Sequence, residues 1–385
     1  MAGAVIAAAI VVSLQLPLLH RPAHTYASLP SEVATSTSAQ LVWPSVGSAA
    51  LDIPSLGVLT GYHQAVVPIA SLTKMMTAYV ALQSLPLGSD ETGPCHVVSA
   101  GDVETYNELV GLDASSVPVE VGEDLCENEL LEGVLVHSAA NYAVMLADMV
   151  SDSMSDFVEL MNNEAETLGL GQTTYVDVTG LSSLDVSTAT NQARLAVLLM
   201  KSPLVRSIVI QTSVTLPVGG VEDSYTPDVG VDNVIGVKSG RTAAAGGCDV
   251  MAMTFVDGDR TRVAYAVVLG QQGGNLLIPA GDAALALDNS AVASRVHYTF
   301  PAGRAFGEIV YDGRRVGFGL TSTHEFWWWP AQGHVSERVT LKRITRNVRR
   351  GEVVGHLIVG GPIHAVLKLR ALGSLNAPTL LQRLR

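Results

Sequence analysis

Two residues near the start of an apolar helical stripe have the chemistry of a nucleophile and its base. Ser71 is followed three residues later by Lys74, which places both side chains on one helix face, one turn apart. A serine hydroxyl becomes an effective nucleophile when a neighbouring base takes its proton. A lysine can be that base when burial and nearby cations lower its pKa. The spacing therefore predicts Ser71 as nucleophile and Lys74 as proton acceptor.

Two further polar motifs follow at domain-scale distances. Ser138 interrupts a helical stretch, where its hydroxyl could pass a proton between the base and a leaving group. Lys238-Ser239-Gly240 ends an apolar strand and offers a cation and a hydroxyl to a substrate carboxylate, while Gly240 lets a substrate backbone approach the strand edge. Each motif alone also fits an ordinary helix start, helix break or strand end. Their occurrence together, in this order, favours an acyl-transfer site.

The hydrophobic pattern predicts the elements that must position these residues. A helical stripe begins at Ser71 and carries Leu72, Met75, Met76, Tyr79, Val80 and Leu82. Further helices are predicted from about 127 to 149 with a step at Ser138, from an N-cap at Ser155 to Leu168, over 188–200 and over 280–296. Strands are predicted at 205–216, 231–238, 249–255 and 262–269.

The chain has 385 residues, of which 48% are hydrophobic, enough for one large and one small domain. After Phe300-Pro301 short β-type stretches alternate with glycine and charged turns, which predicts a separate all-β domain. We expect a signal peptide or membrane anchor over 1–27, a linker over 28–40, the large domain over 41–298 and the small β-domain over 299–385.

The N-terminal segment predicts export. An apolar run over 2–19 is long enough for a signal h-region or a marginal membrane span, and Thr25-Tyr26-Ala27 offers a small-residue cleavage site. No basic residue precedes the run, so a buried N-terminal helix is the alternative. We expect the large domain outside the cytoplasm, extracellular, in the cell wall or membrane-anchored.

Charge limits the partners. A formal net charge of −13 and a pI near 5.1 argue against nucleic acid, whose phosphates need a positive field. The segment 342–350 (KRITRNVRR) is nevertheless basic, which fits either a solvated face or contact with an anionic wall polymer or a lipid membrane surface. Trp327-Trp328-Trp329 fits either a core or a docking surface for membrane or peptidoglycan.

Three cysteines are compatible with an oxidising compartment. Cys95 lies in a predicted strand and Cys126 just before a predicted helix, so the two could form a disulfide if these elements are neighbours. Cys248 would then be a buried free thiol. No Cys/His spacing typical of a metal site occurs, and we predict no metal and no organic cofactor.

The chain resembles the serine D-alanyl-D-alanine carboxypeptidases of bacterial wall metabolism, the low-molecular-mass penicillin-binding proteins. The likeness runs from about Leu41 to the C-terminus. Besides the three motifs it includes Pro68-Ile69-Ala70, Met76-Thr77-Ala78-Tyr79, Met161-Asn162, Thr173-Thr174-Tyr175, Gly180-Leu181, Ser187-Thr188-Ala189, Gly236-Val237 and Ala245-Gly246-Gly247. The resemblance implies an α/β (α+β) fold like that of β-lactamases and penicillin-binding transpeptidases. In it an antiparallel sheet is flanked by helices, and a small C-terminal all-β domain follows.

The resemblance also implies residue roles. Ser71 would attack the carbonyl between two terminal D-alanines of a peptidoglycan stem peptide, Lys74 would accept its proton, and Ser138 would help pass it to the departing D-alanine. Lys238 and Ser239 would hold the terminal carboxylate. The backbone N–H groups of Ser71 and Arg241 would stabilise the oxyanion. β-Lactam antibiotics would acylate the same serine.

One position departs from the family pattern. The second motif of the family is Ser-x-Asn, and here residue 140 is Ala, with Asn141 directly after it. Loss of one such polar contact typically costs about 1–3 kcal/mol, or roughly ten- to a hundredfold in rate. We therefore predict that Asn141 replaces the missing amide and binds the substrate, which would require a shift of the backbone at this position.

Three functions remain open from the sequence. The first is the carboxypeptidase. The second is a catalytically impaired penicillin-binding or wall-binding homologue, which Ala140 alone supports. The third is a β-lactamase, which the absence of a Glu-x-x-Leu-Asn stretch after Ser138 and the presence of a C-terminal β-domain disfavour.

Overall fold

The computed structural model describes residues 24–27, 40–257, 259–311, 313–329, 335–344, 347–361 and 363–376. The chain divides into two compact units, with the change from one to the other between Ala293 and Ser294. The predicted boundary lies at 298/299. Strand β1 (His24–Ala27) belongs to the C-terminal unit.

The larger unit is built on a five-stranded antiparallel sheet. Its strands are β2 (Ser48–Ile53), β3 (Val58–Tyr62), β10 (Val234–Thr242), β11 (Gly246–Asp257) and β12 (Arg260–Gln271), in the order β10-β11-β12-β2-β3. Consecutive residues of β11 from Val250 to Ala252 are fully buried. Because neighbouring side chains of a strand point to opposite faces, both faces of the sheet are covered. Strand β10 is an edge strand, which leaves its outer side available to a substrate.

Helices surround this sheet. Among the described residues they are α1 (Thr73–Ser84), α2 (Ala100–Gly111), α3 (Glu127–Glu132), α4 (Ala140–Asp148), α5 (Met154–Thr167), α6 (Ala189–Leu199), α7 (Pro203–Val209) and α8 (Leu277–Ala293). Helices α6 and α8 pack directly on the sheet. The apolar stripe of α1 contributes Met75, Met76 and Val80 to the core, as its spacing predicts.

Short strand pairs complete the unit. They are β4 (Val67–Pro68) with β7 (Val186–Ser187), β5 (Cys95–Val97) with β6 (Asp124–Cys126), and β8 (Ser213–Leu216) with β9 (Gly220–Asp223). Cys95 and Cys126 are register partners and form a disulfide, and Cys248 is a buried free thiol. These observations confirm the predicted disulfide between Cys95 and Cys126 and the predicted burial of the Cys248 thiol.

Two local predictions were wrong, and one helix was missed. The run 205–216 was predicted as a strand, but Pro203 and the N-cap Ser202 start helix α7, and only Ser213–Leu216 is a strand. The N-cap of α5 is Ser153, whose hydroxyl accepts from Asp156 N–H, and not Ser155. Helix α2, with its capping box at Ser99 and Asp102, was not predicted.

The C-terminal unit is all β in its described residues. A six-stranded sheet has the order β1-β14-β15-β19-β18-β17, and β13 pairs with β16. The strands are β13 (Val296–Phe300), β14 (Ala305–Tyr311), β15 (Arg314–Gly319), β16 (His324–Trp328), β17 (Ser336–Leu341), β18 (Val353–Gly360) and β19 (Ala365–Ala371). Phe300, Phe306, Phe318, Leu357 and Leu369 form its core.

The tryptophan run belongs mostly to this core. Trp329 is buried, and the Trp328 ring packs edge-on against Tyr298. The Trp327 ring is partly exposed but stacks on His297 with the ring centroids 4.2 Å apart. The core alternative for Trp327-Trp328-Trp329 is therefore the better description.

The predicted leader is described only in part. The backbone of His24–Ala27 pairs antiparallel with β14, His24 lying opposite Val310. The apolar run 2–19 lies outside the described residues, as does the predicted linker except for Gln40. Among the helices that the structure does describe, none combines the length and apolar character needed to cross a bilayer.

Candidate active site

Ser71 lies in a tight turn that leads into helix α1. The 3₁₀ turn Ala70–Leu72 precedes Thr73, and Ala70 has φ = +48°, an uncommon value for a residue with a side chain. Gly180 packs on this turn so closely that a Cβ there would lie 1.9 Å from Ala70 O. The turn is thus held in a strained conformation that leaves the Ser71 side chain partly exposed at the helix start.

Lys74 is within hydrogen-bond reach of the nucleophile. Its Nζ donates to Ser71 Oγ at 3.0 Å and to the Thr179 carbonyl at 2.6 Å. Burial lowers the pKa of Lys74 to about 7, although the carboxylates of Asp177 and Asp185 oppose this shift. At neutral pH a large fraction of the amine is therefore unprotonated and able to accept the serine proton.

Ser138 follows a π-helical turn, Gly133–His137, and has φ = +68°. This turn packs against α1 and against β10, which places Ser138 between the two elements that carry the lysines. The hydroxyl of Ser138 is buried, and it has no hydrogen-bond partner among the described residues. An unsatisfied buried hydroxyl is costly, and it is available to a proton or a substrate atom that enters the site.

Strand β10 brings Lys238 and Gly240 to the same face as the nucleophile. A Cβ on Gly240 would lie 2.6 Å from the backbone nitrogen of Ser71, so only glycine allows this approach. Lys238 is buried, lies 5.5 Å from the centroid of the Tyr225 ring, and donates to Ser239 O at 2.8 Å. Burial, and then the charge of Lys74, lower the pKa of Lys238 well below its usual value.

The hydroxyl of Ser239 points away from this face. Ser239 and Asp249 are register partners on β10 and β11, and Ser239 Oγ donates to Asp249 Oδ1 at 2.5 Å. Burial, and then the charge of Asp249, raise the pKa of Asp288 on helix α8. Since Lys238 and Ser239 alternate along the strand, they project to opposite faces of the sheet. In this structure the Ser239 hydroxyl thus bonds Asp249, and the role of Ser239 beside Lys238 at a substrate carboxylate stays a prediction.

The side-chain amide of Asn141 bonds the backbone of Val117. Its Oδ1 accepts from Val117 N–H at 3.0 Å and its Nδ2 donates to Val117 O at 2.8 Å, so one backbone residue uses both ends of the amide. Ala140 is the buried first residue of α4. Both ends of the Asn141 amide are occupied in this structure, and its role in substrate binding stays a prediction.

Arg241 lies at the mouth of the site. Its side chain is partly exposed and its Nη2 lies 3.7 Å from a carboxylate oxygen of Asp113, which is almost fully exposed. Such an exposed pair contributes little to stability. Its position next to Gly240 keeps the Arg241 backbone beside Ser71.

The loop 176–187 positions Lys74 and was missed by the sequence analysis. One oxygen of Asp177 accepts from Thr179 N–H, Thr179 Oγ1 and Gly180 N–H, and the other accepts from Ser182 N–H. This turn aims the Thr179 carbonyl at Lys74. Asp185 accepts from Val176 N–H, Asp177 N–H and Thr73 Oγ1, and so ties the loop to helix α1. An Asp two residues before Thr-Gly is a turn signal that could have revealed it.

Within the described ranges no group of three or more His, Cys, Asp or Glu side chains is arranged to hold a metal ion. The chemistry available at the site is that of one serine, two lysines with lowered pKa values and one further hydroxyl. This set can form an acyl-serine and transfer protons.

Comparison with known proteins agrees with this geometry. Residues 50–273, more than half of the chain, match the family of D-alanyl-D-alanine carboxypeptidases, peptidase family S11. A D-alanyl-D-alanine endopeptidase of Pseudomonas aeruginosa is 34% identical over 198 residues, which are 49% of this chain and 60% of that protein. The chain thus spans less than two thirds of that relative.

Two further proteins match over longer stretches. D-alanyl-D-alanine carboxypeptidase DacD of Escherichia coli is 28% identical over 307 residues, 75% of each chain. The structure of penicillin binding protein 5 from Haemophilus influenzae superposes with a TM-score of 0.61 at 20% identity over 89% of this chain and all of that one. This confirms the predicted fold, an antiparallel sheet flanked by helices with a C-terminal β unit. The chain therefore belongs to the D-alanyl-D-alanine carboxypeptidase family of serine peptidases.

Proposed function

We propose that this chain is a serine D-alanyl-D-alanine carboxypeptidase that removes the terminal D-alanine from peptidoglycan stem peptides through an acyl-Ser71 intermediate. The observation that carries the proposal is the bond from Lys74 Nζ to Ser71 Oγ at 3.0 Å, made by an amine whose pKa burial lowers to about 7. Nucleophile and base are thus already paired at neutral pH.

The proposed reaction follows from these positions. Lys74 takes the Ser71 proton, and Ser71 Oγ forms a bond to the carbonyl carbon between the two D-alanines. The N–H groups of Ser71 and Arg241 stabilise the resulting oxyanion, which the contact between Gly240 and the Ser71 backbone supports. Ser138 then passes the proton to the departing D-alanine nitrogen, and the C–N bond breaks. Water attacks the acyl-serine and releases the shortened peptide.

Lys238 is proposed to bind the terminal carboxylate, and Ser239 would join it by exchanging its bond to Asp249 for one to the substrate. An incoming carboxylate would favour the protonated form of Lys238 and offset its burial. β-Lactams carry a comparable carboxylate and acylate the same serine. In this proposal the catalytic unit acts outside the cytoplasm, where peptidoglycan is found.

The experiment measures labelling of the purified chain by a fluorescent penicillin together with D-alanine release from a pentapeptide. We expect both activities in the native chain, no labelling in Ser71→Ala, and a loss of at least a hundredfold in Lys74→Arg, which keeps the charge but cannot accept a proton. Lys201→Arg, at an exposed lysine, is the matched control and should behave as the native chain.

Other outcomes would point to the alternatives. Labelling without D-alanine release would favour the impaired penicillin-binding homologue, and rapid loss of the label with hydrolysed antibiotic would favour a β-lactamase.

The endopeptidase relative of P. aeruginosa adds a further substrate to test, a cross-linked muropeptide dimer. Cleavage of the dimer in preference to the pentapeptide would replace the carboxypeptidase assignment with that of an endopeptidase. Absence of labelling would contradict the acyl-serine proposal.

A further inference from the structure

Charge divides unevenly along this chain. Residues 294–385 contain fourteen Lys and Arg against five Asp and Glu, a net charge of +9. Residues 1–293 contain nine Lys and Arg against 31 Asp and Glu, a net charge of −22. The net charge of the whole chain, −13, therefore conceals a C-terminal unit that creates a positive field of its own.

Six of the cations cluster at one end of the six-stranded sheet. We call this cluster the basic sheet end, and it consists of Lys342, Arg343, Arg349, Arg350, Lys368 and Arg370. The pairing brings them together: Lys342 N–H donates to Val354 O, and Val353 is the register partner of Arg370. The residues just before β18 lie against the segment after β19, since Arg350 N–H donates to Ser374 Oγ.

The sheet presents these side chains to solvent. In β19 Leu367 and Leu369 point into the core, so Lys368 and Arg370 lie on the outer face. Arg370 Nη1 donates to Gly351 O at 2.7 Å, which holds its guanidinium beside the turn. The other five cations of the basic sheet end are exposed.

Acidic residues do not neutralise this cluster. Between residues 338 and 376 the sequence contains a single acid, Glu352, which accepts from the backbone N–H of Arg349. In the part of the chain that the structure describes, none of the six cations forms a salt bridge. Six cations held close together with a single carboxylate in their segment repel one another, and an anionic partner would relieve that repulsion.

The composition of the cluster favours a polymer of phosphates over a bilayer. Four of the six cations are arginines, whose planar guanidinium binds phosphate oxygens in pairs. Peripheral membrane surfaces add apolar groups that insert below the headgroups. Here Ile344 and Val348, between the cations, are buried, and Val366 is the one strongly exposed aliphatic side chain on β19. The Trp327 ring is stacked on His297.

We propose that the basic sheet end of the C-terminal unit binds a linear, phosphate-bearing polyanion. Charge complementarity specifies this occupant: a row of fixed cations on adjacent strands matches a chain whose negative charges repeat along its length. The proposal does not depend on the chemistry at Ser71.

The test measures binding of fluorescein-labelled linear polyphosphate to the full chain by fluorescence anisotropy. Arg349→Gln/Arg350→Gln is compared with Arg314→Gln/Arg315→Gln, which removes the same charge from two exposed arginines at the β14–β15 hairpin. We expect the first variant to bind about tenfold more weakly and the second to stay within about twofold of the native chain. Binding should weaken steeply with added NaCl.

Control variants and vesicles distinguish binding at the basic sheet end from attraction to net charge and from binding to a membrane. Arg349→Lys/Arg350→Lys keeps the charge but loses the paired guanidinium contacts, so its affinity should lie between those of the native chain and of Arg349→Gln/Arg350→Gln. Thermal unfolding of all variants should match the native chain. Equal weakening by both Gln variants would overturn the proposal, because it would show attraction to net charge alone. Binding to phosphatidylglycerol vesicles but not to polyphosphate would also overturn it and assign the cluster to a membrane surface.

Discussion

At Lys74 two effects act on one amine. Burial lowers its pKa to about 7, while Asp177 and Asp185 favour the protonated form. The amine also donates to Ser71 and to the Thr179 carbonyl, so its position is fixed whether or not it carries the proton. This balance lets Lys74 act as a base near neutral pH without leaving the site.

Acylation should follow the titration of Lys74. Because only the neutral amine accepts the serine proton, the rate of labelling by penicillin should rise about tenfold from about pH 6 to about pH 8 and then level off. A lysine with the usual pKa of 10.5 would instead give about a hundredfold rise over that interval and no plateau. Stopped-flow labelling across this range distinguishes the two curves. A rate independent of pH would remove Lys74 from the proposed role.

Ala140 is the residue at which the site departs from its family. No amide occupies this position, since Asn141 binds Val117 through both of its ends. Ala140→Asn should increase kcat/KM for D-alanine release by about ten- to a hundredfold, because an added amide can bond the substrate carbonyl. Steady-state kinetics measure this, with circular dichroism as the check on folding. An unchanged kcat/KM in a folded variant would mean that this enzyme does not use an amide here.

At the scale of elements, the loop 176–187 decides how the nucleophile is presented. Asp177 closes the turn, Asp185 ties it to α1, and Gly180 packs on the carbonyl of Ala70. The turn before helix α1 and this loop are therefore one structural unit, although about a hundred residues separate them. Such contacts stabilise a backbone conformation that an isolated helix start would not adopt.

Gly180→Ala tests this unit against Gly169→Ala. Both glycines have positive φ, +81° and +70°, so both substitutions cost about 1–2 kcal/mol of backbone strain. Only at Gly180 would the new Cβ meet a backbone atom, at 1.9 Å from Ala70 O, whereas nothing lies near Gly169. Penicillin labelling should fall at least tenfold in Gly180→Ala and little in Gly169→Ala. Equal rates in the two variants would show that the Ser71 turn does not depend on this contact.

At the scale of the whole molecule, the large unit buries carboxyl groups whose desolvation outweighs the charges and hydrogen bonds that favour their ionised form. Burial raises the pKa of Asp249 to about 7, and burial together with Asp249 raises the pKa of Asp288 well above its usual value. Both oxygens of Asp288 are buried, and a backbone hydrogen bond from Ala266 opposes the rise in its pKa only in part. An acid with a raised folded-state pKa keeps its proton where the unfolded chain releases it, so stability falls as pH rises above about 4.

Asp288→Asn should therefore stabilise the protein increasingly from about pH 4 to neutral pH, by roughly 1–3 kcal/mol at the upper end. Asp282→Asn, on the same helix α8 but exposed, is the matched control and should stay within about 0.5 kcal/mol of the native chain at every pH. Urea unfolding at several pH values gives both curves. Parallel curves for native chain and Asp288→Asn would contradict the assignment.

The sequence by itself determined the features that depend on local spacing. Ser71 and Lys74 lie one helical turn apart because three residues separate them in sequence. The positions of Cys95 in a predicted strand and Cys126 before a predicted helix were enough to suggest their disulfide as a hypothesis. The three motifs together with the likeness in the residues around them were enough to predict the family and the fold.

Tertiary structure decided which groups face the nucleophile. Ser239 turns from the site because the register of β10 and β11 places Asp249 opposite it, and Asn141 turns to Val117 because that segment lies beside α4. The Thr179 carbonyl reaches Lys74 from 105 residues away along the chain. Local patterns specify the conformation of a segment, but the partner of a polar side chain depends on packing between distant segments, which no single stretch of sequence encodes.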